Sequence, residues 1–187
     1  MVSSLSFLPP TLKTLTTTFR RGCFCFARIE RKAGFCYKQG MTNKERHKIV
    51  PAAYIILRDG NKILLQRRLN TGHYDGSYGF VSGHVEENES YSSGIIREAL
   101  EEAGFKLKPE YIRFAHFMHR KGEDSERADV FFVAGRWDGE VQNMEPHKCD
   151  DLSWFERDNL PENLIPHLRN VLEYIDQNIM YSEHGWE

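Results

Sequence analysis

The sequence predicts an α/β domain in which strands and helices interleave around a mixed sheet. Three observations lead there. Short runs rich in β-branched and aromatic residues, such as IVPAAYIILR at 49–58, recur along the chain. Two other stretches carry a helical period, at 90–103 and near 166–179. A length of 187 residues with 40% hydrophobic content supports one sizeable core and not two full domains.

The elements follow in order. IVPAAYIILR (49–58) reads as a buried strand; Asp59-Gly60-Asn61 supplies a tight turn, and KILLQRR (62–68) pairs back as a hairpin. Residues 69–79 hold three glycines with Asn and Asp and read as a loop, followed by a short strand, FVSGHVE, at 80–86. Ser90 to Ala103 is the clearest helix. Tyr111–Arg120 and Ala128–Trp137 read as strands joined by the charged turn KGEDSER. A polar loop at 138–150 leads to a strand, DLSWFE (151–156), and then to a helix near Pro166–Ile179. The tail MYSEHGWE shows no clear period.

A net charge of −2 hides an asymmetry. Residues 1–40 hold seven Lys/Arg against Glu30 alone; residues 41–187 hold 18 basic and 26 acidic residues, a net of −8. The acidic body argues against a general nucleic-acid binder, although carboxylates that hold Mg²⁺ can still handle phosphates. No apolar run reaches the roughly 18–20 residues needed to cross a bilayer. Met1 to Arg28 is rich in Ser and Thr with three Arg and no acid, as in an organelle transit peptide. The competing reading is a functionally silent upstream extension, with Met41 as a second start. The expected division is therefore an N-terminal extension over 1–40 and a domain over 41–187, cytoplasmic unless the extension targets an organelle. Cys23, Cys25 and Cys36 make a poor zinc signature, and Cys149 is expected alone and buried.

On a wheel with Glu98 at zero, Glu101 falls near −60° and Glu102 near +40°, with about 100° per residue. Ile96, Ala99, Leu100 and Ala103 gather on the other side, which is expected to pack on the sheet. Like charges at i, i+3 and i+4 repel, and a hard divalent cation would relieve them. A solvated acidic surface is the competing reading of these three residues taken alone.

Their surroundings change the balance. Gly83, five residues, Glu89, seven residues, then Arg97-Glu98-Ala99-Leu100-Glu101-Glu102-Ala103-Gly104-Phe105 resembles the Nudix box, G-x5-E-x7-R-E-U-x-E-E-x-G-U. Its fixed residues are all present; Ala99 departs from the bulky aliphatic of the pattern. Val50–Phe105 is similar to the first half of Nudix hydrolases, and Glu145-Pro146-His147-Lys148-Cys149 with Leu152-Ser153-Trp154-Phe155 to their later loop and strand. The resemblance covers residues 45–180 and implies an α/β/α sandwich around a mixed sheet. It also implies Mg²⁺-dependent cleavage of a pyrophosphate, with Mn²⁺ as a substitute.

The resemblance assigns a metal role to Glu98, Glu101 and Glu102 and to the carbonyl of Gly83. It makes Glu98, Glu101, Glu102 and Glu145 the candidate catalytic carboxylates. Arg68 and Arg97 are the candidate substrate-binding arginines; Arg97 reads more readily as a group that holds the glutamates by charge-assisted hydrogen bonds. Glu89 lies on the greasy side if the helix reaches it, so the helix should begin at or after Ser90. Gly104 should end it. His73, His84, His116 and His119 lack the spacing of a transition-metal site. Tyr74, Tyr78 and Phe80 could stack on a base, with core packing as the alternative. Many family members carry Pro-Gly-Gly where this chain has Val81-Ser82-Gly83.

The expected substrate is a small nucleotide: a nucleoside triphosphate, plain or modified, or a nucleotide-sugar. No nucleic-acid or membrane partner is expected, and a homodimer is left open. The alternative function is a catalytically silent nucleotide-binding regulatory module on the same fold, whose expected mark, a lost box glutamate, is missing.

Overall fold

The computed structural model describes residues 46–122 and 124–186. The expectations for residues 1–40, including Cys23, Cys25 and Cys36, lie outside them. The elements run β1 (Ile49–Asp59), β2 (Lys62–Arg68), β3 (Tyr78–Gly79), β4 (Val81–His84), α1 (Tyr91–Ala103), β5 (Arg113–Lys121), β6 (Glu126–Ala134), β7 (Cys149–Glu156), α2 (Pro166–Asp176) and β8 (Tyr181–His184).

β1 is the spine of a mixed sheet ordered β3-β2-β1-β6-β5-β8, with β4 also on β1 and β7 on β2. It runs parallel to β6, from Ile49 opposite Glu126 to Leu57 opposite Ala134, and antiparallel to β4, which sets Gly83 opposite Ala53. Alternation along β1 feeds two cores. Ala52, Tyr54 and Ile56 join Phe80, Met118, Phe131 and Leu168 on the α2 side. Ala53, Ile55 and Leu57 join Val81, Ile95, Ala99 and Phe105 on the α1 side. A strand covered on both faces reads as an unbroken apolar run, which is why 52–57 show no polar residue. The architecture is the expected α/β/α sandwich.

α1 begins where the sequence suggests. Ser90 is its N-cap and accepts a hydrogen bond from the Ser93 amide, and Gly104 closes it in the left-handed region with φ 72°. One placement needs correction. The wheel groups Leu100 with the sheet-facing side, but Leu100 is 46% exposed while Ile95, Ala99 and Ala103 are wholly buried. The buried stripe is rotated toward the glutamates, because α1 packs over β4, against which its Glu98 and Glu102 also lie.

Two strands escape the sequence. Tyr78–Gly79, inside the expected loop, pairs with Gln66 and Arg67 as β3. The tail forms β8, parallel to β5 with Tyr181 opposite Phe117 and His184 opposite Arg120. β5 starts at Arg113 rather than Tyr111, because Pro109–Tyr111 forms one 3-10 turn. Among the described residues, no helix is long and apolar enough to cross a membrane.

Candidate functional site

The site is built where β4 passes under α1. A Cβ on Gly83 would overlap the carboxyl group of Glu98, so only glycine lets that carboxylate lie against the strand backbone. Arg97 locks the arrangement. Its Nε and Nη2 donate to the two oxygens of Glu89, both at 3.0 Å. Nη1 donates to Glu98 Oε1 at 2.7 Å and to Glu101 Oε2 at 3.0 Å, and Nη2 also reaches the carbonyl of His84 at 3.1 Å. One planar guanidinium therefore binds three carboxylates and ties them to β4. These carboxylates raise its pKa, and Arg97 in turn lowers that of Glu89.

Glu102 is held differently. Its Oε2 accepts from Gln66 Nε2 at 2.9 Å and from the Ser82 amide at 3.1 Å, while its Oε1 has no donor in the described protein. Burial pushes its pKa up to about 7, against the pull of these two donors and with the help of the Glu98 and Glu145 charges. Glu145, on the loop before β7, accepts from Lys148 Nζ at 2.8 Å.

A cavity of about 780 Å³ opens over this region, and Gly83, Glu98, Glu102, Glu145 and Arg68 all line it. Arg68 reaches it while donating through Nε to the His73 carbonyl at 2.8 Å. Glu101 and Arg97 are not on its wall; they stand behind Glu98. Of the aromatic candidates, Tyr78 and Phe80 are buried in the core, whereas Tyr74 is 44% exposed at the cavity mouth. Cys149 is a free, buried thiol.

The donor set is all hard oxygen: the Glu98, Glu102 and Glu145 carboxylates and the Gly83 carbonyl. Together with the undonated Oε1 of Glu102 and the missing Cβ of Gly83, this is chemistry that could hold a divalent cation such as Mg²⁺. Among the described residues no three His, Cys, Asp or Glu side chains already converge on one point.

The far wall holds groups that the sequence reading did not single out. Asp129, wholly buried, accepts from Arg120 Nε at 2.7 Å through Oδ2, and its Oδ1 has no partner among the described residues. Burial raises the Asp129 pKa and Arg120 opposes the rise. The neighbouring Tyr54 hydroxyl is pushed up to about 12, chiefly by burial. Arg127 donates to His84 Nε2 at 3.1 Å, and burial together with this cation lowers the His84 pKa. One signal was available for these residues and for Gln66: a polar residue at an inward position of an apolar strand, as Asp129 is in ADVFFVA.

The sequence profile of the NUDIX domain matches residues 48–175. Among curated proteins, the NAD-capped RNA hydrolase NudC of Pasteurella multocida is 29% identical over 146 residues, covering 77% of this chain and 52% of the relative. That of Chromobacterium violaceum is 30% identical over 120 residues, covering 64% and 42%. The chain thus spans about half the length of the curated relatives it matches. Among solved structures, a MutT NUDIX hydrolase from Burkholderia pseudomallei aligns with a TM-score of 0.64 at 23% identity, over 68% of this chain and 98% of that one. The MutT protein of Methanosarcina mazei gives 0.62 at 21%, over 71% and 96%. At these identities the structural likeness speaks for the fold alone.

Proposed function

This chain belongs to the Nudix family of hydrolases, and we propose that it hydrolyses a pyrophosphate bond in a nucleoside di- or triphosphate derivative with Mg²⁺ as its cofactor. The observation that carries the reading is the contact between Gly83 and Glu98, with Glu102 presenting an undonated oxygen to the same cavity. Glu98 and Glu102 with the Gly83 carbonyl, all on the cavity wall, are the proposed metal-holding group, and Glu101, off the wall, is tied to Glu98 through Arg97 and completes the acidic set only by turning its exposed side chain. Mg²⁺ bound there supplies charge neutralisation for the diphosphate and a lowered pKa for a bound water.

The chain's own residues do the rest. Arg97 fixes Glu98 and Glu101 so that repelling carboxylates stay together before any cation arrives. Gln66 and the Ser82 amide orient Glu102. Arg68 and Lys148 face the cavity and meet phosphate charge. Water attacks one phosphorus; the new P–O bond forms as the bond to the bridging oxygen breaks, and that oxygen leaves with the departing phosphate. The water's proton passes to a carboxylate on the cavity wall, Glu98 or Glu145.

The candidate substrates are nucleoside triphosphates, plain or modified, and nucleotide-sugars. The curated relatives named for hydrolysing NAD-capped RNA add a dinucleotide cap to them. The test is phosphate or nucleotide release from such a panel with and without Mg²⁺, by the wild type and by Glu102→Gln. The expected result is Mg²⁺-dependent turnover that falls about 100-fold or more in the variant, the order seen when one group that stabilises transition-state charge is removed. Near-normal rates in a folded Glu102→Gln protein would overturn the metal assignment. No turnover anywhere in the panel would favour the silent binding module.

A further inference from the structure

The wall opposite the box buries an ion pair that the hydrolase reading leaves without a task. His84, Ala52, Asp129 and Met118 stand in one row across β4, β1, β6 and β5. Side chains in such a row point to one side of the sheet, and His84 and Ala52 line the main cavity, so Asp129 points to the cavity side. Arg120, two residues beyond Met118, points the same way and lines the cavity itself. The pair is nearly closed to solvent, with Arg120 7% exposed and Asp129 0%. Burying such a pair adds little to folding, because removing both charges from water offsets their attraction. Here one carboxylate oxygen also lacks a donor among the described residues. A pair kept under those conditions beside a cavity is a candidate for recognition rather than for stability.

Arg120 has donors to spare. A guanidinium carries five N–H groups and no acceptor. Nε–H goes to Asp129 Oδ2 at 2.7 Å, and the Tyr54 hydroxyl, which also stands against the guanidinium, has two lone pairs at most to offer. Among the described residues, that leaves two N–H groups over. Nη1 stands 3.8 Å from the place a Cβ would take on Gly122, which lines the same cavity. Since Asp129 already answers the charge of Arg120, these are directed donors that suit a neutral acceptor. An aromatic face accompanies them: Tyr74, 44% exposed, lines the cavity and its side recess together with Arg120. Arg68 Nε and Thr71 Oγ1 both donate to the His73 carbonyl and fix the loop that presents it. Three strand spacings of about 4.8 Å separate β5 from β4, so about 14 Å of sheet lies between Arg120 and the strand of Gly83. That leaves room for a nucleoside beyond a diphosphate held at the box.

We propose that Arg120 selects the base of the substrate, favouring bases with an exocyclic oxygen (guanine, hypoxanthine, uracil) over those with an amino group in its place (adenine, cytosine), and that Asp129 positions it. The carbonyl oxygen accepts from the fork, and in a purine so does the neighbouring N7. An amino group there would set donor against donor. Tyr74 stacks on the base without choosing between them. The proposal deepens the hydrolase reading, resting on it only for where the diphosphate lies.

The probes are three pairs in which an oxygen replaces the amino group: ITP against ATP, UTP against CTP, and inosine diphosphate ribose against ADP-ribose. Binding of each to the full chain is measured by calorimetry with Ca²⁺ in place of Mg²⁺. In every pair that binds, the oxo member should bind about 10-fold tighter or better, as a good base contact gives. Arg120→Lys keeps a cation for Asp129 but not the fork, and should bring the ratio to within about two-fold. Asp129→Asn should lower the ratio as well, since the fork loses its anchor. Tyr74→Ala, at an exposed position, should weaken both members of a pair by about 10-fold and leave their ratio as it was. Equal affinities within the pairs, a preference for the amino member, an undiminished ratio in either ion-pair variant, or no binding by any of the six would overturn the proposal. Turnover with Mg²⁺ is read separately. A preference in binding without hydrolysis would sink the hydrolase reading and leave the base selection standing; hydrolysis with equal affinities would do the reverse.

Discussion

The Cα of Gly83 and the carboxyl group of Glu98 occupy one place from two sides: a methyl group on the strand would displace the acid on the helix. Glu98 is the free end of a flexible side chain, so it would yield rather than the backbone. Gly83→Ala is therefore expected to leave the fold and melting temperature nearly unchanged while moving Glu98. Misplacing a site group by about 1 Å costs on the order of 100-fold in rate. Turnover of the alanine variant beside its thermal melt checks this; full activity would mean that the position of Glu98 against β4 does not matter.

Arg97 holds Glu89, Glu98 and Glu101 through a fork that an ammonium cannot copy. In Arg97→Lys the charge survives and the geometry does not. The Mg²⁺ concentration for half-maximal activity is expected to rise about 10-fold or more, the range seen when groups that orient metal ligands are changed. Since lysine keeps a cation among these largely shielded carboxylates and leaves no uncompensated charge, the melt should move by only a few degrees. A large drop in melting temperature with an unchanged Mg²⁺ requirement would make Arg97 a stability residue instead.

The box and the wall opposite it differ in how far sequence reveals them. Seven fixed positions fall within Gly83–Gly104 on one strand, one loop and one helix, so spacing alone brings them together. The far wall of the cavity is assembled from β5, β6 and α2, and no local spacing links Arg120, Arg127 and His167. The helical wheel likewise gives α1 an apolar side but not its rotation on the sheet, which is why Leu100 came out exposed. β8 escaped for a further reason: four residues with two exposed side chains become a strand only because β5 offers a free edge.

His167 ties stability to pH. Burial, with the charges of Arg120, His184 and Arg127, lowers its pKa from the usual 6.5 to about 3. The sign follows from proton counts: below pH 6.5 the unfolded chain takes up a proton that the folded one refuses. The neutral ring's contribution is thus present above pH 6.5 and is lost as pH falls toward 3, by no more than about 5 kcal/mol at roughly 1.36 kcal/mol per unit. His167→Gln should flatten the dependence of melting temperature on pH between 6.5 and 4. Glu102, whose raised pKa acts in the opposite direction, is common to both proteins and cancels in the difference. Parallel curves would mean that His167 titrates normally.

The C-terminal strand is fastened through His116, which is wholly buried. Its Nδ1 lies 2.8 Å from the Ile179 carbonyl, which can only accept, so that nitrogen carries the hydrogen. Burial keeps the ring neutral by lowering its pKa, and Nε2 must then accept from the Ser182 hydroxyl at 2.8 Å. Ser182→Ala removes the donor and leaves a buried ring nitrogen unpaired, which costs about 1–3 kcal/mol. His116→Phe loses both ring bonds while keeping a ring against Tyr174, so Ser182→Ala should cost less on that background, where the hydroxyl has no ring nitrogen to serve, than in the wild type. Urea unfolding of the wild type, the two single variants and the double variant measures the difference. A double variant as unstable as the sum of its parts would show that the His116–Ser182 bond does not hold β8 to the sheet.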